Sequence, residues 1–157
     1  METSLLNNEL MITVPDGFHV MDDEELGRLN SFGEKPGWSI ADPDRHITIS
    51  IAWKKNAMAS FLLNPREIAK KMEMSLQKIM APYGYELQMF VQENLGGVEA
   101  PGFRYAYSVQ ETGMIGESLS MKKGKTFYYV HCYLRRELLE ESIPVLQEIF
   151  ESCRWTK

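Results

Sequence analysis

Hydrophobic and polar positions alternate along much of this chain with a period of two, as strands half-buried against a core require. The clearest stretch is 46–53. There Ile47, Ile49, Ile51 and Trp53 share one face and His46, Thr48, Ser50 and Ala52 the other. Ahead of it, Leu10–Val14 predicts a strand, Pro15-Asp16-Gly17 a turn, and Phe18–Met21 a second short strand. Residues 1–9 are polar and are expected to fray. Asp22-Asp23-Glu24-Glu25-Leu26 predicts a short helix whose acidic first turn faces the positive end of the helix dipole, followed by a loop through Gly33, Pro36 and Gly37. Trp38–Ala41 and the 46–53 strand, joined by Asp42-Pro43-Asp44, predict a hairpin.

At Asn64 the period changes to that of a helix. Asn64 suits an N-cap, Pro65 the first helical position and Glu67 the third. Ile68, Met72, Leu76, Ile79 and Tyr83 then form an apolar stripe opposite Lys70, Lys71, Glu73, Gln77 and Lys78, ending near Pro82-Tyr83-Gly84. Alternation resumes over Tyr85–Gln92, Phe103–Gln110, Met114–Met121 and Thr126–Leu134. Between these runs lie Asn94–Gly97 with Ala100–Gly102, then Glu111-Thr112-Gly113, then Lys122–Lys125. The last strand is apolar on both faces, which predicts a central strand with a layer on each side. Ile143, Leu146, Ile149, Phe150 and Cys153 mark a closing helix over Ser142–Cys153, its start set by Pro144, which fits only a first turn. Helices segregated from a mostly antiparallel sheet define an α+β fold, expected as one domain over 1–157.

A chain of 157 residues builds its own core without a metal or disulfide. The net charge of −5 argues against a nucleic-acid binder and against docking on anionic lipid. Cys132 lies in an apolar strand and Cys153 near the closing helix, so both read as buried free thiols. No stretch reaches the roughly 18 apolar residues of a membrane span, and the first residues lack a secretory pattern, so a cytoplasmic location is expected.

Four stretches resemble the PsbP/Mog-like superfamily: Ile12-Thr13-Val14-Pro15-Asp16-Gly17-Phe18, the helix from Asn64, Leu95-Gly96-Gly97 before the 103–110 strand, and Ile149-Phe150-Glu151-Ser152-Cys153-Arg154-Trp155. They span most of the chain in that family's order. Members include a photosystem extrinsic subunit, a Ran-binding nucleotide-release factor and many bacterial proteins. The resemblance implies an antiparallel sheet packed between helices and a binding or accessory role in a bacterial protein. Some bacterial relatives are secretion-effector chaperones or immunity-type proteins, roles for which no motif here carries over to named residues.

Candidate chemistry is sparse. Gly124-Lys125-Thr126 resembles the end of a P-loop but has Leu119 where the motif needs glycine, and it leads into a strand. Gly116-Glu117-Ser118-Leu119-Ser120 lacks the second glycine of a nucleophile elbow. His131 and Cys132 are adjacent in a strand and point to opposite faces, so they do not act on each other. Asp42, Asp44 and His46 have metal-ligand chemistry, but Asp-Pro-Asp is also ordinary turn chemistry, and no metal or other cofactor is expected. Glu137, Glu140, Glu141, Glu148 and Glu151 read as a solvated acidic face.

The reading is therefore a non-enzymatic protein-binding module, with an unidentified protein or a second copy of the chain as partner. Its proposed contact residues are Met58, Phe61 and Leu62, in an apolar link before the long helix, and Tyr105, Tyr129 and His131 in the sheet. The alternative is a small-molecule-binding or hydrolytic enzyme with a pocket of Tyr105, Tyr107, Tyr129, His131 and Tyr133. A filled sheet face beside a separate exposed apolar patch favours the first; a convergent pocket around a perturbed His131 favours the second.

Overall fold

The alternating stretch at 46–53 becomes an inner strand of the larger of two antiparallel sheets. The computed structural model describes residues 1–29, 35–55 and 63–156. In chain order the elements are β1 (Glu2–Leu6), β2 (Leu10–Val14), β3 (His19–Val20), α1 (Asp23–Arg28), β4 (Trp38–Asp42), β5 (Ile47–Lys55), α2 (Pro65–Ile79), β6 (Glu86–Leu95), β7 (Val98–Val109), β8 (Thr112–Lys123), β9 (Thr126–Arg135), α3 (Leu139–Glu151) and β10 (Arg154–Trp155). Among the described residues, seven strands form one sheet in the order β3-β4-β5-β9-β8-β7-β6, and β1-β2-β10 form a smaller one. β9, apolar on both faces, is central between β5 and β8.

The large sheet has two differently furnished faces. On one, Ile40, Ile49, Ile51, Val130, Leu119 and Ala106 pack with Leu146, Ile149 and Phe150 of α3 and with Leu6, Leu10, Ile12 and Val14 of the small sheet. On the other, Phe103, Tyr105 and Tyr107 pack against Leu76 of α2 and the following Met80. The sheet thus lies between α2 on one side and α3 with the small sheet on the other, the α+β arrangement that the pattern predicts.

The caps form as expected. Asn64 Oδ1 accepts the Glu67 backbone N–H at 2.9 Å, with Pro65 at N1. Asp22 and Glu25 form a reciprocal capping box on α1. In the Asp-Pro-Asp turn, Asp42 Oδ1 accepts the Asp44 N–H at 3.0 Å and its Oδ2 meets Arg45 at 3.2 Å, so that carboxylate closes the turn.

Several expectations are corrected. Residues 1–9 do not fray: β1 pairs with β2 from Glu2↔Val14 to Leu6↔Leu10, and Leu6 is buried. Backbone pairing along β2 holds this polar segment, and β10 closes the other edge. The buried stripe of α2 runs through Ile68, Ala69, Glu73 and Leu76 to Met80, whereas Ile79 and Tyr83 are exposed. Small Ala69 lets the helix sit close to the sheet, and buried Glu73 is satisfied by the Tyr85 O–H at 2.8 Å.

Ala100-Pro101-Gly102 is not a link but part of β7, because Gly96-Gly97 already closes the β6–β7 hairpin. Pro101 pairs with β6 only, since pairing with β8 begins at Gly102↔Leu119, so no ladder bond is lost there. At Gly102 a Cβ would lie 1.9 Å from the Ser118 carbonyl oxygen, so only glycine permits this close approach. The β7–β8 loop is Gln110-Glu111, both left-handed (φ 48° and 68°), rather than Glu111–Gly113. Pro144 sits inside α3, which starts at Leu139 instead of Ser142. The bond lost to Pro144 belongs to the carbonyl of exposed Glu140, which water can reach.

Candidate functional site

The register of β9 with β5 and β8 decides what His131 meets. It lies opposite Ser50 on one side and Ser118 on the other. Ser118 Oγ and His131 Nδ1 share a 2.8 Å hydrogen bond. One strand further, Ser50 Oγ lies 3.0 Å from Ser39 Oγ, so buried hydroxyls and the imidazole form a polar row under the α2 side. Tyr105 is fully buried, and its ring lies over Gly116, where a Cβ would come within 2.2 Å of it. Tyr85 stacks on Tyr105 at 5.2 Å and Tyr107 follows at 5.6 Å.

Burial sets the protonation of this face. It pushes the His131 imidazole down to about 4, so the ring is neutral at pH 7. It pushes the Tyr107 phenol up to about 12, and Tyr105 and Tyr133 upward as well. A neutral imidazole bonded to a serine is the start of a nucleophilic pair. Ser118, however, has no exposed surface, so no acyl group reaches its oxygen in this conformation. The serines of the row are buried and hydrogen-bonded, while Tyr129, His131 and Tyr133 beside them on β9 are partly buried.

The sequence-level candidates separate accordingly. Tyr105 and His131 belong to this face. Tyr129, partly buried, lies opposite Ser120 and Ala52 on the same face. Met58, Phe61 and Leu62 lie outside the described residues. The Ser118–His131 contact was hidden in the sequence by its separation, although equal steps back from the Gly124-Lys125 turn pair the two residues.

A second region is open. β6 ends the large sheet, and among the described residues no strand pairs its outer side. A register shift between Leu87 and Met89 breaks its alternation, and the consecutive Met89 and Phe90 that follow are half exposed, at 50% and 54%. Phe90 sits opposite Phe103 on the α2 side, beside a groove of about 320 Å³ lined by Arg66, Ala69, Lys70, Val91, Pro101 and Gly102. Met89 pairs with Arg104 and Phe90 with Phe103, so the two face opposite sides of the edge strand, and neither side is fully covered there.

No protein-family model matches the sequence, and neither does any curated protein. Solved structures do match in fold. The solution structure of cyanobacterial PsbP (CyanoP) from Synechocystis sp. PCC 6803 aligns with a TM-score of 0.68 at 8% identity, over 98% of this chain and 91% of that one. LpqN of Mycobacterium tuberculosis, described as involved in cell envelope biogenesis, aligns with a TM-score of 0.59 at 13% identity, over 94% and 83%. A Bacteroides thetaiotaomicron VPI-5482 structure gives 0.59 at 11% identity, over 94% of this chain and 45% of that one. The chain has a PsbP-like fold.

Proposed function

We propose that this PsbP-like chain is a non-enzymatic binding or accessory module that engages a protein partner along the outer edge of β6. One observation carries the reading: a ten-residue edge strand has no partner on its outer side among the described residues, with Phe90 half exposed beside the α2 groove. An unpaired edge offers backbone N–H and C=O groups to an added strand, and an adjacent pocket supplies side-chain selectivity. Arg66 and Lys70 on the groove wall favour a partner segment with acidic residues next to an apolar anchor. Fully buried Ser118 gives a hydrolytic role no comparable opening. Buried Cys132 and Cys153, both free thiols, suit the reducing cytoplasm.

The test is recovery of partners by the tagged full chain from its own cells, with sedimentation of the purified chain to detect a second copy as partner. Phe90→Glu should abolish the stoichiometric partner while leaving the fold intact by circular dichroism, and Ser118→Ala should retain it. A partner kept by folded Phe90→Glu would contradict the assignment. The link holding Met58, Phe61 and Leu62 is a second proposed contact on its sequence alone. Met58→Ser with Phe61→Ser should then weaken the same recovery.

A further inference from the structure

A third region combines features that neither the sheet face nor the β6 edge shares. At the far end of β5, the β8–β9 turn and the small sheet enclose a cleft of about 610 Å³, within the usual range for small-molecule sites. Trp53 and Trp155 line it, together with Lys55, Lys123 and Lys125 from two strand ends and the turn, and Asn7 and Glu9 from the β1–β2 turn. We propose that this cleft binds a small phosphorylated ring compound, of the size of a nucleoside monophosphate or a sugar phosphate.

Charge is the first argument. The chain carries a net charge of −5, yet three lysines and a single carboxylate converge on this one cleft. Among the described residues, none of the three lysines forms a salt bridge. The one carboxylate, Glu9, is engaged: the Tyr128 O–H donates to its Oε2 at 2.6 Å, and Asn7 Nδ2 donates to Tyr128 Oη at 3.1 Å. The cleft therefore keeps unneutralised positive charge suited to a phosphate.

Preorganisation is the second. The Trp155 indole N–H donates to the Leu95 carbonyl at 2.9 Å, and the ring stands edge-on to Tyr128 at 5.3 Å. Gly96 makes room for it, since a Cβ there would lie 2.8 Å from the indole. Trp53 completes the aromatic wall, 6.3 Å from Tyr128 between ring centres. Indoles fixed in this way offer a flat apolar wall at little entropic cost. Lys123 Nζ already lies 5.7 Å from the Trp155 ring centre, placing an anion-binding group beside the wall. Asn7 and Glu9 sit where a ring hydroxyl or amino group can meet a polar partner. A bare anion would use only the lysines, and an uncharged ring only the indoles. A phosphorylated ring uses both.

The experiment is titration of the full chain with adenosine 5′-monophosphate and with ribose 5-phosphate, read by tryptophan fluorescence and by calorimetry. Adenosine and inorganic phosphate serve as half-ligands. The expected result is saturable binding of at least one phosphorylated ring, with both half-ligands weaker by about tenfold or more. Tighter binding of the nucleotide identifies the stacked ring as a base, and equal binding of ribose 5-phosphate identifies it as a sugar. Lys125→Glu, in an exposed turn, should weaken binding about tenfold without loss of fold by circular dichroism. Absence of saturation by either compound up to about 10 mM overturns the proposal. So does inorganic phosphate binding as tightly as the best ring compound, or unchanged affinity in folded Lys125→Glu.

Discussion

Glu117 and Ser118 are neighbours on β8, yet they serve opposite faces of one sheet, and the two faces handle burial differently. On the α3 side, Glu117 lies opposite Cys132 and meets Arg104 Nη2 at 2.9 Å. On the α2 side, Ser118 lies opposite His131 and the two form a neutral pair. Burial raises the Glu117 carboxyl while the Arg104 guanidinium pulls it down, so the charged pair depends on its partner. The neutral pair needs no counter-charge, because burial keeps its imidazole unprotonated. Residues with familiar catalytic chemistry can thus be ordinary furniture of a layer interface. The two surfaces proposed as functional, the β6 edge and the lysine-lined cleft, differ from this face in their exposure.

The largest expected effect breaks the charged side of this comparison. Arg104→Leu should cost about 3 kcal/mol in chemical denaturation by leaving Glu117 buried and uncompensated, and adding Glu117→Leu should restore most of it. If the double variant is as unstable as the single, the loss comes from packing rather than charge. Leu76→Ala opens the α2 side and should cost about 2–5 kcal/mol, the range for a buried leucine truncated in place. An unchanged midpoint would show that α2 does not seal that face.

Proton linkage sharpens the comparison further. His131 has a folded pKa of about 4, below its unfolded value near 6.5, so the unfolded chain binds more protons between those pH values. Its contribution is fully present above about pH 6.5 and is lost as pH falls through 4, amounting to roughly 3 kcal/mol. Glu117, raised in the folded state, works with the opposite sign. Subtracting the profile of His131→Leu from that of the parent chain therefore isolates the histidine, and a flat difference would contradict its burial as a neutral ring.

The smallest effect concerns the turn that sets this register. Gln110 and Glu111 both hold left-handed backbone without a glycine. Gln110→Asn with Glu111→Gly should raise stability by about 1 kcal/mol, the relief expected where a two-residue hairpin receives its preferred residues.

Much of the fold was legible because the period of two survives along β4, β5, β7, β8 and β9, and because Asn64-Pro65-Arg66-Glu67 states a helix start outright. The polar β1 was not, since its strand character comes from pairing with β2 rather than from its own side chains. Nor was the exact face of α2, because Ile79 and Glu73 exchange their expected places when Tyr85 supplies a buried partner for the carboxylate. For the site, the tyrosines and His131 were visible as a cluster, but closure by α2 and the Ser118 contact depend on packing across layers. The cleft was missed for a similar reason. Lys123-Gly124-Lys125 reads as a turn, which it is, and only tertiary structure brings Trp53 and Trp155 beside it.

The central claim is that the face carrying His131 is closed and that contact occurs elsewhere. Timed modification of the native chain by diethyl pyrocarbonate, mapped by mass spectrometry, tests it most directly, because the three histidines are separated in environment. His19 and His46 are exposed, whereas His131 is only partly exposed and is bonded through Nδ1 to buried Ser118. His19 and His46 should react first, and partly buried His131 many times more slowly, with full modification only when the chain is unfolded. Modification of His131 at the rate of the other two, in protein that remains folded, would contradict the account.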